Sequence, residues 1–474
     1  MTFHYRMLIA GEWTDAGERH PVRNPFDGEV LGDLPQADAD MVETAIAAVW
    51  EGRKEMAALP AHRRAGILHR AATLVQENHK ALTTRIVLEA GKAWKWAATE
   101  VDRAVENLIF AADEARRMHG ETVPMDASAG SETRMGFWFR EPIGLVGAIS
   151  PFNFPLNLLV HKVAPAVAAG NAVIAKPASN TAGPAQLFFE LLLEAGVPPA
   201  GLALLYGSGR TVGEAIVRDE RVGKVTFTGS VPVGKRITTL TGPKKVTLEL
   251  GSNSGTIVDE NADIDLAVKR NLMGAFAFSG QVCISVQRIF LHKAIAAEFT
   301  EKFVAGTQAL NIGDPMDPHT DVGPMISLEE AQRAEQWVKD ARKAGATVLT
   351  GGERRDGLLQ PTVLADVTPD MDVMCSEVFA PIVSLVTCDS FEEAVRMCDD
   401  SRFGLQAGVF TRDIDRAFQA IRGINVGGVI VNDVPTYRVD HMPYGGNKDS
   451  GVGREGARFA VEDMTTLKMV VFNV

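Results

Sequence analysis

From Gly144 onward the chain repeats one unit, a short apolar run followed by a helical run. The apolar runs fall near 144–149, 172–176, 202–206, 224–228 and 245–250, and helical spacing is clearest over Ala182–Ala195 and Val233–Leu240. Strands that are apolar on both faces and separated by helices need cover on both sides, which predicts a doubly wound parallel sheet. A second α/β run extends from about Thr256 to Val431. Its strands lie near 256–259, 286–292, 382–387 and 427–431, and its clearer helices are Glu329–Lys343 and Phe391–Cys398. At 474 residues the chain exceeds one ordinary core, so two or three domains are expected.

Ahead of the repeat, residues 1–35 read as short strands and turns. Asp38 reads as the N-cap of a helix reaching about Trp50, and Glu100–Arg117 reads as an amphipathic helix. Turn residues followed by Phe137-Trp138-Phe139-Arg140 mark 124–142 as a β-hairpin, and Thr466–Val474 reads as another strand. Exposed aromatics and an apolar tail need cover. The ribbon and the tail are therefore expected to pair between subunits, in a homodimer or homotetramer.

The net charge of −12 argues against a broad surface for nucleic acid or an anionic membrane. The four cysteines, Cys283, Cys375, Cys388 and Cys398, form no CxxC pair, so neither a disulfide framework nor a metal site is expected. Met1–Arg6 shows no signal-peptide core, and no apolar segment reaches membrane-spanning length. A cytoplasmic location is expected, where a thiol stays reduced.

Cys283 ends the stretch Ala275-Phe276-Ala277-Phe278-Ser279-Gly280-Gln281-Val282-Cys283, where an apolar helical run meets a glycine. Gly280 is expected to break the helix and let backbone approach closely. A lone cysteine is usually a buried hydrophobe. Three further stretches change that reading: Pro151-Phe152-Asn153-Phe154-Pro155, Glu249-Leu250-Gly251 and Glu377-Val378-Phe379-Ala380-Pro381. Together they offer a thiol, an amide donor, a carboxylate at the end of an apolar strand and a second carboxylate. That set suits aldehyde oxidation, because an aldehyde carbonyl releases hydride only after a nucleophile makes it tetrahedral. Cys283 is the nucleophile, and its reactivity calls for a lowered pKa. The Asn153 amide and the Cys283 N–H would hold the oxyanion, and Glu249 would act as base for water. Thr226-Phe227-Thr228-Gly229-Ser230 ends a strand and opens a helix, a place suited to phosphate. Gly207-Ser208-Gly209 follows a strand and is either a second such loop or an ordinary turn. Gly451-Val452-Gly453-Arg454-Glu455-Gly456 matches GxGxxG but follows no strand of a βαβ unit, so it is not read as a dinucleotide loop.

In this order the motifs resemble those of the aldehyde dehydrogenase superfamily. Phe152–Pro155 is similar to its oxyanion motif, Phe227–Ser230 to its phosphate turn, Glu249–Gly251 to its base motif and Gly280–Cys283 to its nucleophile motif. Glu377–Phe379 is similar to the motif holding the nicotinamide ribose. Pro443-Tyr444-Gly445-Gly446 with Lys448, Ser450-Gly451 and Gly453-Arg454-Glu455 resembles its C-terminal signature. The family often has Trp at Phe152 and Gly at Ser252 and Ala380, departures that remove no reacting group. The resemblance implies a Rossmann-like cofactor domain (1–123, 143–248 and 450–464), a catalytic domain (249–449) and an oligomerisation segment (124–142 and 465–474). It also implies cofactor contacts from Ser150, Phe152, Lys176, Ser179, Gly209, Phe227, Gly229, Ser230, Val233, Leu250, Glu377 and Phe379.

The implied activity is NAD(P)-dependent oxidation of an aldehyde to the acid through a thiohemiacetal and a thioester. A CoA-acylating semialdehyde dehydrogenase is the alternative, but it would not need Glu249. The resemblance places Val282 and His161 on the substrate side, with Arg103 and Arg438 as further substrate candidates. Cations there suit a short aldehyde with an acidic or hydroxyl tail, whereas broad neutral aldehydes call for an apolar tunnel. Arg438 has a competing assignment, an ion pair with Asp440. Val431–Gly446 looks most like lactaldehyde- and semialdehyde-type members.

NAD-preferring relatives often carry Glu at the position of Ser179, where a carboxylate would repel a 2′-phosphate. NADP is therefore expected to be used with kcat/KM at least comparable to that for NAD. Ser179→Glu should move the preference toward NAD in steady-state assays with each cofactor. A wild-type NAD preference above about a hundredfold, roughly 2.7 kcal/mol, would show that another group rejects the phosphate.

Overall fold

The structure is a computed structural model that describes residues 2–474. Two sheets dominate it. The first has eight strands, at whose centre five run parallel in the spatial order Leu202–Leu204, Ala172–Lys176, Leu145–Ile149, Lys224–Thr228 and Lys245–Glu249. Met7–Ile9 adds antiparallel to one edge and Gly451–Val452 to the other. Nearly every residue of these five strands is buried, as strands covered on both faces require. Helix Asn157–Ala169 is buried along its whole length beneath the sheet.

The strand order fixes where a ligand can enter. The chain lays down Leu145–Ile149, steps outward twice, and then returns to place Lys224–Thr228 on the other side of the first strand. That reversal is a topological switch point, where the loops leaving two neighbouring strands diverge and open a crevice. Pro151–Asn153 leaves one of these strands and Gly229–Ser230 the other.

The second sheet has seven strands in the order Thr347–Thr350, Thr362–Ala365, Ile382–Cys388, Arg288–His292, Gly255–Val258, Gln406–Phe410 and Gly428–Val431. All neighbours are parallel except the outermost pair, Thr347–Thr350 with Thr362–Ala365. Only residues 250–254 separate the last long strand of the first sheet from the first strand of the second. Glu249 therefore stands where the chain crosses from one sheet to the other.

The third sheet corrects one expectation. Arg134–Pro142 pairs antiparallel with Glu121–Val123, so the first strand of the hairpin lies ahead of the expected range 124–142, and along its other edge it pairs with Thr465–Asn473 of the same chain. Ribbon and tail thus pair with each other within one subunit, because the last helix, Ala457–Asp463, delivers the tail beside the ribbon. Phe137 stacks on Phe472 with ring centroids 6.3 Å apart. Leu467, Met469, Val471 and Phe472 stay exposed on the outer strand.

The cysteine stretch also differs in detail. Helix Ile264–Phe276 ends before the glycine. Phe278, Ser279 and Gly280 then take positive φ in succession, at 47°, 55° and 69°. A non-glycine residue in that region is strained and persists only when its surroundings hold it. Here Phe278 is buried, and the Ser279 hydroxyl donates to the Gly323 carbonyl at 2.8 Å. At Gly280 a Cβ would lie 2.2 Å from the Ala380 carbonyl oxygen, so the close approach requires glycine.

Gly280→Ala and Gly242→Ala form a matched pair. Both residues have positive φ, but a Cβ at Gly242 meets nothing within 4 Å. Gly242→Ala should cost about 1–2 kcal/mol. Gly280→Ala should cost a further ~1–3 kcal/mol for the clash, read as a larger drop in Tm. Equal drops would show that Ala380 yields.

Candidate active site

Two cavities meet at Cys283. A cleft of about 490 Å³ runs between the sheets and is lined by Phe152, Asn153, Gly229, Ser230, Glu249, Leu250, Glu377 and Phe379. A narrower funnel of about 180 Å³ approaches from the opposite side, past Lys92, Trp96, Arg103, Phe154, Val282 and Arg438. Among the described residues only Cys283 lines both.

The cleft is shaped for a flat, extended ligand. The Gly229 N–H is tied to the Glu249 carbonyl at 3.0 Å, and a Cβ at Gly229 would press on the Phe227 ring. At Gly251 a Cβ would lie 2.1 Å from a Glu377 carboxylate oxygen, so glycine lets that carboxylate reach the wall. Glu377 accepts from the Ser252 N–H at 3.1 Å. Burial pushes its carboxyl up to about 7, against that hydrogen bond. Phe152 and Phe379 meet edge to face, 6.0 Å apart. Further along, Lys176 ends its strand, and Ser150, Gly209 and Val233 follow the carboxyl ends of others, with Ser179 in the turn after Lys176. Burial lowers the Lys176 ammonium to about 8, and the Ser150 hydroxyl is buried without a hydrogen-bond partner. Val233 is exposed on the first turn of helix Val231–Leu240. Glycine-lined walls, the Glu377 carboxylate and a helix that opens after Ser230 together fit a dinucleotide.

At the junction, the Asn153 Nδ2 donates to the Gln281 carbonyl at 3.0 Å, which ties the amide to the cysteine turn. Gln281 in turn accepts at its side chain from the Ile326 N–H, 2.9 Å away. The Cys283 Sγ lies 3.1 Å from the Tyr444 hydroxyl. A lowered thiol pKa was the sequence expectation. In this structure burial pushes the thiol up to about 11, although the Tyr444 hydrogen bond and Arg438 oppose it. Glu249 is buried, and neither of its carboxylate oxygens has a hydrogen-bond partner. Burial, then the neighbouring Glu455, raises its pKa well above the carboxylate range; Arg438, Lys162 and Arg454 pull the other way.

Beside Glu249 lies a charged network only partly anticipated from sequence. Arg438 lines the funnel, donates through Nη2 to Glu455 at 3.1 Å and lies 4.0 Å from Asp440. Glu455 also accepts from Lys162 at 2.8 Å. Arg103 lines the funnel but is gripped by Asp440 through two hydrogen bonds of 3.0 and 2.6 Å. His161 does not line the funnel as expected. It is 1% exposed, with its Nε2 2.7 Å from Asp440 and 3.0 Å from Arg438 Nη2. Lys92 does line it, paired with Glu100 and with its ammonium 3.7 Å from the centre of the Phe154 ring. Lys92, Lys162, Asp440, Tyr444 and Glu455 escaped assignment as site residues. A Lys inside the apolar run 156–169 was the available signal for Lys162, since a buried ammonium requires a partner.

The chain belongs to the aldehyde dehydrogenase family, whose model matches residues 13–470. It is 43% identical over 470 residues to a 3-sulfolactaldehyde dehydrogenase of Priestia aryabhattai, covering 99% of this chain and 98% of that one. Its structure superposes on aldehyde dehydrogenase 21 from Physcomitrella patens in complex with the reaction product succinate. There the TM-score is 0.97, the identity 38%, and the coverage 100% of this chain and 98% of that one. A glyceraldehyde-3-phosphate dehydrogenase from Methanocaldococcus jannaschii, complexed with NADP, superposes with TM-score 0.93 and 37% identity, covering 97% of this chain and all of the other.

Alkylation of cofactor-free protein tests the thiol. The thiolate reacts, so a pKa near 11 makes iodoacetamide labelling of Cys283 rise about tenfold per pH unit from 7 to 10. Tyr444→Phe removes a hydrogen bond that favours the thiolate and should move the rise to higher pH. A plateau below pH 9, read by mass spectrometry of the Cys283 peptide, would contradict this.

Proposed function

We propose that this protein oxidises a short anionic aldehyde to its carboxylic acid with NADP or NAD, through covalent intermediates on Cys283 that are released by water. The observation that carries the reading is the position of Cys283, alone among the described residues in lining both cleft and funnel, with Glu249 buried in the cleft wall. An aldehyde entering by the funnel meets the sulfur from the side opposite the cofactor cleft.

Attack by the thiolate form of Cys283 on the carbonyl carbon gives a thiohemiacetal oxyanion. Asn153, held by Gln281, offers an N–H to that oxygen, and the Cys283 N–H offers a second. A bound nicotinamide dinucleotide supplies the hydride acceptor. The remaining thioester is cleaved by water, and Glu249 takes the water's proton; a carboxylate with a raised pKa is the stronger base for this. Release to CoA would leave the buried Glu249 without a task, so hydrolysis is the favoured outcome. Ser179, half-buried at the turn after Lys176, brings no carboxylate against a 2′-phosphate, which supports use of NADP. The P. aryabhattai relative is a 3-sulfolactaldehyde dehydrogenase and the P. patens structure holds the reaction product succinate; a sulfonate and a carboxylate both suit a funnel that contains Lys92, Arg103 and Arg438.

The same reading extends to assembly. Strand Thr465–Asn473 leaves an unpaired apolar edge, and helix Ile414–Gly423 exposes Ile414, Phe418 and Ile421 beside the edge strand Gly428–Val431. Covering these faces with a second copy supports a homodimer or homotetramer.

Kinetics test the mechanism. Cys283→Ala should abolish cofactor reduction while nucleotide binding persists. Glu249→Gln should show a burst of reduced cofactor and then turnover lowered by at least about a hundredfold, because deacylation stalls. The carboxylate form of Glu249 is the active one, so wild-type turnover should climb as pH rises toward its raised pKa, and the Gln variant should lose that climb. Unimpaired steady-state turnover in either variant would refute the mechanism. Arg438→Ala should raise KM for succinate semialdehyde by about 2–5 kcal/mol equivalent, far more than for propionaldehyde.

A further inference from the structure

The loop between strand Leu145–Ile149 and helix Asn157–Ala169 carries Asn153, and the bonding of that side chain alone does not fix its aim. Nδ2 donates to the Gln281 carbonyl, but Oδ1 is buried without a hydrogen-bond partner. The direction of the amide therefore depends on how the loop around it is held. The far end of the loop is a buried helix start. Its N-cap, Leu156, brings no side-chain acceptor, and the first N–H groups of a helix have no partner within it. Glu100, from helix Trp94–Arg117, takes that place. Its Oε1 accepts from the Leu156 N–H at 2.9 Å and from the Asn157 N–H at 3.1 Å. A carboxylate suits a helix N-terminus, but a buried one needs a counter-ion. Lys92 is that counter-ion, bonded to the other oxygen of Glu100.

Lys92 stands in the turn between helices His79–Ala90 and Trp94–Arg117 and is fully buried. Its ammonium lies 3.7 Å from the centre of the Phe154 ring and 4.5 Å from that of Phe278. Phe154 follows Asn153 directly. Phe278 belongs to the left-handed turn that leads to Cys283, where it holds a φ of 47°. One cation thus attracts a ring from each loop, and the attraction is stronger where water is excluded. The same turn meets the cysteine stretch a second time. A Cβ at Gly323 would lie 2.4 Å from the Gly91 carbonyl oxygen, and the Gly323 carbonyl accepts the Ser279 hydroxyl. Arg103 lies farther from Phe154, at 5.9 Å, and its guanidinium is committed to Asp440.

We propose that Lys92, backed by Glu100, is a positioning residue that clamps the Asn153 loop to the cysteine turn, so that amide and sulfur keep the placement that oxyanion stabilisation requires. Its ammonium is spent on Glu100 and two rings, so its effect on the rate passes through Asn153. The proposal rests on the oxyanion role given to Asn153 above and adds the group that holds it in place.

Bursts of reduced cofactor, followed by stopped flow near pH 7, test the clamp, because the burst reads the steps up to hydride transfer. Saturating succinate semialdehyde and propionaldehyde are used in turn. Lys92→Met combined with Glu100→Gln removes both charges together, leaves no buried ion unpaired and keeps an acceptor for the Leu156 and Asn157 N–H groups. It should slow the burst at least about tenfold with either aldehyde and leave the ratio of their KM values unchanged. Asn153→Ala should slow it at least about a hundredfold. Adding the paired change to Asn153→Ala should slow it no further, since a group that acts through Asn153 then has nothing to act on. Should the paired variant fail to fold, Phe154→Leu, which leaves the ion pair whole, carries the same expectations. An unimpaired burst in the paired variant, or losses that multiply with that of Asn153→Ala, overturns the proposal. So does a KM that rises for succinate semialdehyde alone, which makes Lys92 a binding group for the anion. An unimpaired burst in Asn153→Ala overturns the oxyanion reading and this proposal with it.

Discussion

Glu249 is a carboxyl group buried without a hydrogen-bond partner, and the rest of the active site is arranged around that cost. Its place is set by covalent connection. It is the last residue of a parallel strand, and after residues 250–254 the chain has entered the other sheet. Burial and Glu455 favour its neutral acid, whereas Arg438, Lys162 and Arg454 favour the carboxylate. The opposing influences leave a group that holds a proton strongly and can still give it up. A surface glutamate would titrate near 4 and would be a weak base. An isolated buried one would hardly ionise. The cations beside it therefore bear on the chemistry as well as on the packing.

Those cations are held in turn by carboxylates that burial alone would neutralise. Asp440 lies behind the funnel wall, bound to Arg103, with its pKa well below the carboxylate range. Burial would raise it, but His161 and Arg103 outweigh the desolvation. Glu455 follows the same pattern, held down by Lys162, His161 and Arg438. Buried ion pairs of this kind add little net stability, but removing one partner is expensive because the other is left charged and unpaired. Their contribution here is positional. They fix Arg438 over the Tyr444 ring, with the guanidinium carbon 3.6 Å from its centre, and the Tyr444 hydroxyl touches the Cys283 sulfur.

The parts legible in the sequence are those that depend on local pattern. Strands Ala172–Lys176 and Lys224–Thr228 and helix Ala182–Ala195 stand where apolar runs and helical spacing placed them. The motif residues at the carboxyl ends of strands, such as Asn153 and Gly229, converge because a doubly wound sheet opens a crevice there. What the sequence did not disclose depends on contacts between distant segments. Asp440 meets Arg103 across 337 residues of chain, and Lys162 meets Glu455 across 293. No local period marks such a pair. His161 was misplaced for the same reason, since one step along a buried helix separates a funnel wall from an interior contact. The left-handed turn at Phe278 and Ser279 was also invisible, because neither residue prefers that region; tertiary contacts impose it.

The division of the cysteine, amide and carboxylate between two sheets has a mechanical consequence. Asn153 belongs to the first sheet and Cys283 to the second, and the bond from the Asn153 amide to the Gln281 carbonyl spans the cleft between them. Glu377 reaches back from the second sheet to the Ser252 N–H, within the short segment that joins the two. The proposed nucleophile, oxyanion donor and base are thus registered by a few hydrogen bonds across the cleft itself, so a change in its width alters their mutual distances at once. Alignment of the reacting groups is worth several kcal/mol, on the order of 7–11 for well-oriented pairs, far more than any one of these hydrogen bonds. A ligand that fills the cleft and fixes its width would therefore complete the catalytic arrangement, which couples occupancy of the cleft to the chemistry at the end of the funnel.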